Sequence, residues 1–301
     1  MSENGIVLAL GFFDGVHTAH RMLLDNTREA AKKLGCTPCV IVFDKRPQNV
    51  VTGTETPTIN TVSDRVTLIR ELCGIENTIK LSFTHELMNT PWDDFISGLI
   101  ERYNVKAFSV GYDFRFGKGG DGDGKKLLKL CGEKNIGLYI MDRAEKDGVT
   151  VSSTKIRELL SEGRMREANS LLGHAHMLTG EILSGKRIGR TIGIPTANMV
   201  IPKGVIMPKK GVYAVRFTTE DGNRFRAVTN IGTRPTVNGG EDVTVESHLL
   251  GFDGNIYGTS CRVEFMDYLR EEQKFSSLEM LKKQIDADIA KVEKYSEEFF
   301  R

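Results

Sequence analysis

The stretch IVLALGFFDGVHTAH, Ile6 to His20, decides how the front half of this chain folds. Five apolar residues make a short buried run, glycines bound a turn, and Met22, Leu23, Thr27, Ala30, Ala31 and Leu34 then recur at helical spacing. That is strand, turn, helix. The rhythm continues with apolar runs near 39–43, 78–82, 106–110 and 136–141, alternating with helical patterns near 20–34, 62–73, 92–103, 123–134 and 154–161. Such alternation predicts a parallel sheet flanked by helices. Ligands of these sheets bind beyond the carboxyl ends of the strands, where GFFDGVH and VGYDFRFG (110–117) fall. His17 and His20, three apart where the helix begins, share a face and can offer N–H groups to an anion beside the helix N-terminus; a cap or a solvated side chain is the plainer alternative.

From about Met177 the pattern changes to strands, near 177–184, 211–219, 224–230, 243–250 and 260–268, which fits a small closed antiparallel barrel. Asp253-Gly254 reads as a hairpin signal. Leu278, Leu281, Ile285, Ile289 and Val292 then form one apolar stripe of a terminal helix, expected to pack on the barrel. Two domains are expected, 1–175 and 176–301, joined by helices at 154–161 and 165–172.

Within the back half, GRTIGIPTAN (189–198) pairs naturally with VESHLL (245–250). Side chains two apart on extended backbone point the same way, so Thr196 matches Asn198 and Glu246 matches His248. A hydroxyl and an amide oxygen are hard ligands suited to Mg²⁺, which substrate phosphates complete, and the carboxylate is free to act as a base. The Gly185, Gly189 and Gly193 backbone, with Lys186, Arg187 and Arg190, can fold over nucleotide phosphates as a flap.

PTAN with its glycine-rich loop, KKGVYAV (209–215), NIGTRPTV (230–237) and YLREEQKF (268–275) together resemble the riboflavin kinase module. GFFDGVHTAH is similar to the HxGH signature of the nucleotidyltransferase superfamily, in the form typical of bacterial enzymes that adenylylate FMN. VGYDFRFGKGGDGDG (110–124) and VSSTKIRELL (151–160) look like the companion blocks. The resemblance implies a Rossmann-like α/β nucleotidyltransferase domain followed by an antiparallel β-barrel kinase domain with a C-terminal helix. It implies ATP contacts at Gly11, Phe13, Asp14, Ser153, Thr154, Arg157, Gly185, Arg190 and Gly193, with His17, His20 and Glu246 catalytic. Flavin would meet Asp113, Phe114 and Arg270, and Mg²⁺ would meet Thr196 and Asn198.

The implied function is phosphorylation of riboflavin to FMN, then adenylylation of FMN to FAD. Three positions depart from the usual pattern: Ala19 replaces the glycine of HxGH, Arg46 stands where histidine is common in FDKRP (43–47), and Gly120 replaces an arginine. They keep open a kinase whose front domain is impaired. A flavin-binding regulator without catalysis is the third reading.

A formal net charge of +1 over 301 residues gives no electrostatic case for nucleic acid or an anionic membrane. No apolar run of eighteen residues occurs, so a soluble cytoplasmic protein is expected. Five cysteines, an odd and sparse set, argue for reduced thiols, and Cys36-x-x-Cys39 lacks the second pair of a zinc site. The acidic loop GGDGDGKK (119–126) fails as a calcium loop because Lys125 and Gly132 stand where ligands belong.

Overall fold

The structure, a computed structural model, describes residues 4–183, 193–235 and 241–300. It divides into two compact units between Lys155 and Ile156. The helices at 153–162 and 165–172 therefore pack largely with the second unit, ahead of the 175/176 division expected from composition.

The first unit is a five-stranded parallel sheet in the order β3-β2-β1-β4-β5. Its strands are β1 (Ile6–Leu10), β2 (Thr37–Phe43), β3 (Asn77–Leu81), β4 (Val105–Gly111) and β5 (Gly137–Met141). Helices α1 (Thr18–Leu34), α3 (Val62–Cys73), α5 (Trp92–Tyr103) and α6 (Gly124–Glu133) connect them, with short α2 (Pro47–Thr52) and α4 (His85–Asn89) added in the loops. Alternation along β1 serves both faces: Ile6, Leu8 and Leu10 join Ile41, Phe108 and Val110 in one core, while Val7 meets Ala30, Ala31 and Ala107 under α1. Because β2 and β4 flank β1 on opposite sides, the sheet changes direction at β1/β4. The loops after those two strands open at that switch point.

A small ribbon of β6 (Glu145–Lys146) and β7 (Val149–Thr150) precedes α7 (Ser153–Glu162) and α8 (Met165–Leu172). The second unit closes β8 (His176–Leu183), β9 (Ala197–Met199), β10 (Gly211–Thr219), β11 (Arg224–Pro235), β12 (Glu241–Leu249) and β13 (Ser260–Arg270) into an antiparallel barrel of order β10-β11-β12-β9-β8-β13. Tyr213, Val215 and Phe217 of β10 are fully buried, and the intervening Val212 and Ala214 pack with Val228, Ile289, Val292 and Phe300. Helix α9 (Leu278–Glu293) covers that outer face.

Two expectations are corrected. β12 and β13 are not neighbours in the barrel, so Asp253-Gly254 lies in a connection between unpaired strands and forms no hairpin. The α9 stripe starts outside the packing, with Leu278 56% exposed, whereas Leu281 and Ile285 are partly buried and Ile289 and Val292 join the core. The rest of the anchor is polar. Asp288, 0% exposed, takes the Arg270 guanidinium at 2.9 Å and 2.8 Å, and Gln284 donates to it at 3.1 Å.

Candidate functional sites

In the first unit the loop after β1 carries most of the expected residues and is built from uncommon backbone. Phe13 and Val16 sit at φ 53° and 43°, with Gly15 at 83°. A β-branched residue in that region is costly unless its surroundings fix it. They do. A Cβ on Gly11 would lie 2.8 Å from the Phe13 ring, so the ring packs against the strand end only because residue 11 is glycine. Asp14, almost fully buried, accepts from the Ile59 N–H at 2.7 Å, and its own carbonyl accepts from the Ser153 hydroxyl at 2.9 Å. GFFDGVH and the SST block, 139 residues apart, thus meet directly.

His17, 5% exposed, caps α1: its Nδ1 accepts from the His20 backbone N–H at 3.3 Å. Accepting at Nδ1 places the proton of a neutral ring on Nε2, so the cap is compatible with an N–H donor role at Nε2. The His20 ring stacks on His17 with centroids 3.5 Å apart and meets the Phe13 edge at 5.2 Å. Burial first, then the nearby His17 and Arg65, hold the His20 pKa well below its ordinary value. Both readings of His17, cap and ligand, are compatible in one side chain. Ser153 is not the α7 cap; Ser152 takes the Lys155 N–H at 3.2 Å, which leaves Ser153 for Asp14. Thr154 is exposed on the first turn, and Arg157, 8% exposed, belongs to the second unit.

The loop after β4 presents Asp113 exposed and Phe114 stacked on Phe116 at 5.4 Å. Gly117 is required there, since a Cβ would lie 2.5 Å from the Trp92 backbone. Asp123 caps α6 through the Lys126 N–H at 2.9 Å and Asp121 pairs with Lys126, which accounts for the acidic glycine loop without a cation. Ala19 lies in the first turn of α1, Arg46 caps α2, and Gly120 has φ 68°.

In the barrel, strand register makes the site. Asn198 of β9 pairs with Glu246 of β12, which pairs with Asn230 of β11. All three are partly buried, and their neighbours Ala197, Met199, Val245, Ser247, Thr229 and Ile231 point to the buried face. The row therefore stands on the outside of the barrel. Thr196 lines a pocket of about 330 Å³ with Leu249, Phe252, Ile256 and Tyr257. His248 turns to the Pro195 carbonyl at 2.8 Å, which holds the PTAN segment against β12. Gly193 is exposed with φ 77°; Gly185, Lys186, Arg187, Gly189 and Arg190 lie outside the described residues. Arg270 is committed to Asp288, so it fixes α9.

Asn230, at the end of the expected strand 224–230, was not singled out, because its place in the row follows only from register. Arg65 was missed because a lone cation in an amphipathic helix reads as surface, yet it is 1% exposed. All five cysteines are free, and burial pushes the Cys39 thiol up to about 11. Among the described residues no three His, Cys, Asp or Glu side chains gather as a metal cluster, and no helix is long and apolar enough to cross a membrane.

Comparison with known proteins matches both units. The FAD synthetase family profile covers residues 1–155 and the riboflavin kinase profile covers 172–296. A bifunctional riboflavin kinase/FMN adenylyltransferase of Escherichia coli K12 is 35% identical over 99% of this chain and 94% of its own length. One from Bacillus subtilis 168 is 32% identical over 94% and 90%. A solved structure described as a macrolide-efflux protein from Streptococcus pneumoniae aligns with TM-score 0.88 and 28% identity over 98% of this chain and 96% of that one. With both profiles on one chain and such relatives spanning nearly all of it, the chain belongs to the bifunctional riboflavin kinase/FMN adenylyltransferase family.

Proposed function

We propose that the two activities of the family are divided between the two units. The barrel phosphorylates riboflavin to FMN, and the parallel-sheet unit transfers AMP from ATP to FMN, giving FAD and pyrophosphate. The observation that carries the kinase reading is the Asn198–Glu246 register pair beside the pocket lined by Thr196.

Glu246 accepts the proton of the ribityl 5′-hydroxyl as that oxygen bonds to the γ-phosphorus of ATP and the bond from that phosphorus to the departing ADP oxygen breaks, a role worth roughly 10²–10⁴-fold. Thr196 and Asn198 supply hard oxygen donors that fit Mg²⁺ completed by nucleotide phosphates, as suits a site without a carboxylate cage. Bound there, Mg²⁺ neutralises phosphate charge. Leu249, Phe252, Ile256 and Tyr257, which line part of the pocket together with Thr196 and Asp253, suit the purine of the same ATP. Gly185, Arg190 and Gly193 contact the ATP phosphates.

In the adenylyl step an FMN phosphate oxygen attacks the α-phosphorus of ATP, that P–O bond forms, and the bond to the pyrophosphate oxygen breaks. His17 and His20 donate N–H groups to the charge that develops, with Ser153 and Thr154 on the triphosphate. Gly11, Phe13 and Asp14 shape the loop, and Asp113 and Phe114 border the flavin. No covalent enzyme intermediate is required. Arg270 serves flavin binding by fixing α9 on the strand that holds Asn230.

A chromatographic time course of riboflavin, FMN and FAD with ATP and Mg²⁺ tests the reading. FMN rises and then gives way to FAD. FMN accumulating without FAD, even when FMN is supplied, contradicts the adenylyl assignment.

A further inference from the structure

Among the described residues Arg65 heads the large fully buried side chains, and it is the cation least expected from its helix. From α3 its Nη1 donates to the Phe12 carbonyl at 2.7 Å and its Nη2 to the Phe43 carbonyl at 2.9 Å. Phe12 lies in the turn after β1, and Phe43 ends β2. The guanidinium carbon also sits 4.4 Å over the Phe12 ring. A planar fork can hold two carbonyls of different strands at fixed spacing, which a lysine ammonium on a flexible stem does not reproduce. We propose that Arg65 is a positioning residue of the adenylyl-transfer step, tying the turn after β1 to the end of β2 so that the loop bearing His17 and His20 keeps one shape.

The inference rests on the assignment of that loop to ATP. Three observations favour it over plain core packing. The loop holds non-glycine residues at positive φ, Phe13 and Val16, a conformation that persists only under external restraint. An ion in a dry interior is a poor stabiliser compared with an apolar side chain of the same volume, so its presence calls for a use beyond packing. Its charge also acts on the site. His20 faces His17 from the α1 cap and Arg65 from α3, both opposing a proton on His20, while Asp14 in the loop and Asp44 after β2 attract the guanidinium. Arg65 thus helps keep His20 neutral until phosphates arrive.

The test uses the full chain with Arg65→Met, Arg65→Lys and, as a control on the site itself, His20→Asn. FMN adenylylation is measured as kcat and KM against pH, riboflavin phosphorylation serves as the internal control, and thermal unfolding reports folding. Arg65→Met is expected to lower kcat for FAD formation on the order of 10²-fold with kinase activity unchanged, and to move the acid limb of kcat/KM towards neutral pH. Arg65→Lys, which keeps the charge and one carbonyl, should recover about tenfold of that loss and retain the limb. If Arg65→Met does not fold, the lysine variant carries the test: a kcat about tenfold below the unaltered chain supports the inference, and an unaltered kcat overturns it. Arg65→Met within twofold of the unaltered chain, with His20→Asn inactive, overturns the inference alone. FAD loss matched by loss of folded protein, with the pH limb unmoved, also overturns it. Full FAD synthesis by His20→Asn overturns the site assignment, and the inference with it.

Discussion

The two units assemble the residues of their proposed sites by opposite means. The barrel uses strand register: Asn198, Glu246 and Asn230 stand in one row because consecutive ladders align them, and each backbone is ordinary extended chain. The parallel-sheet unit uses a loop in uncommon backbone, wedged by buried polar groups: Asp14 on the Ile59 N–H, Ser153 on the Asp14 carbonyl, Arg65 on two strand ends. The difference teaches where each site is vulnerable. A register row tolerates loss of one side chain as a purely chemical lesion, whereas a wedged loop couples chemistry to conformation.

The sharpest break between the units should come from Glu246→Gln. It keeps shape and hydrogen bonding but removes the base, so riboflavin phosphorylation should fall by roughly 10²–10⁴-fold in kcat with riboflavin affinity changed little. FMN adenylylation by the same preparation should be unaffected. Unchanged FMN production would defeat the role given to Glu246. The mirror variant is His20→Asn, expected to cost FAD formation about 10²–10³-fold while kinase turnover stays put. Equal losses in both activities would show that the units are not separable in function.

Arg270→Met sharpens the comparison on the stability side. It leaves Asp288, fully buried, without its cation, a lesion typically of about 3–5 kcal/mol. The expected readout is a lower unfolding midpoint with a raised KM for riboflavin, as α9 loosens from β11. A variant that binds riboflavin weakly at full stability would instead mean that the guanidinium touches flavin.

The smallest effect at neutral pH concerns His176, fully buried on β8 and stacked on Phe265. Neither ring nitrogen has a partner among the described residues. Burial, with His174 adding, pushes its pKa down to about 3. An unfolded histidine titrates near 6.5, so between those values the unfolded chain binds a proton that the native barrel does not. Stability is therefore complete above about pH 6.5 and falls as pH drops towards 3, by up to roughly 5 kcal/mol. His176→Leu should flatten that slope with little change at pH 7. Denaturant unfolding at pH 7, 5.5 and 4.5 checks it, and an unchanged slope would place the acid sensitivity elsewhere.

Periodicity made the elements legible. The helices 62–73 and 92–103 and the strand 211–219 fall where the apolar spacing places them. What it hid was context. β11 runs through Gly232 to Pro235 although both read as turn residues, because its ladder with β12 continues from the Gly232–Thr244 pair to the Pro235–Glu241 pair. Asp288, off the apolar stripe of α9, is as buried as Val292 on it, since a charge can be buried once a partner is supplied from β13. Short α2 and α4 carry too few residues for a 3.6-residue period to show. The residues proposed for the two sites stand in motifs. The wedges that shape them, Arg65 and the Ser153–Asp14 bond, depend on contacts 53 and 139 residues apart and leave no local pattern.

The division of labour can be tested in one experiment with Glu246→Gln and His20→Asn, each assayed alone and then mixed in equal amounts with riboflavin, ATP and Mg²⁺. The account predicts that neither variant alone converts riboflavin to FAD at an appreciable rate, His20→Asn stopping at FMN and Glu246→Gln before it. The mixture then makes FAD after a lag, as FMN from one chain reaches the intact adenylyl site of the other. FAD formed from riboflavin by either variant alone as fast as by the unaltered chain would contradict the account.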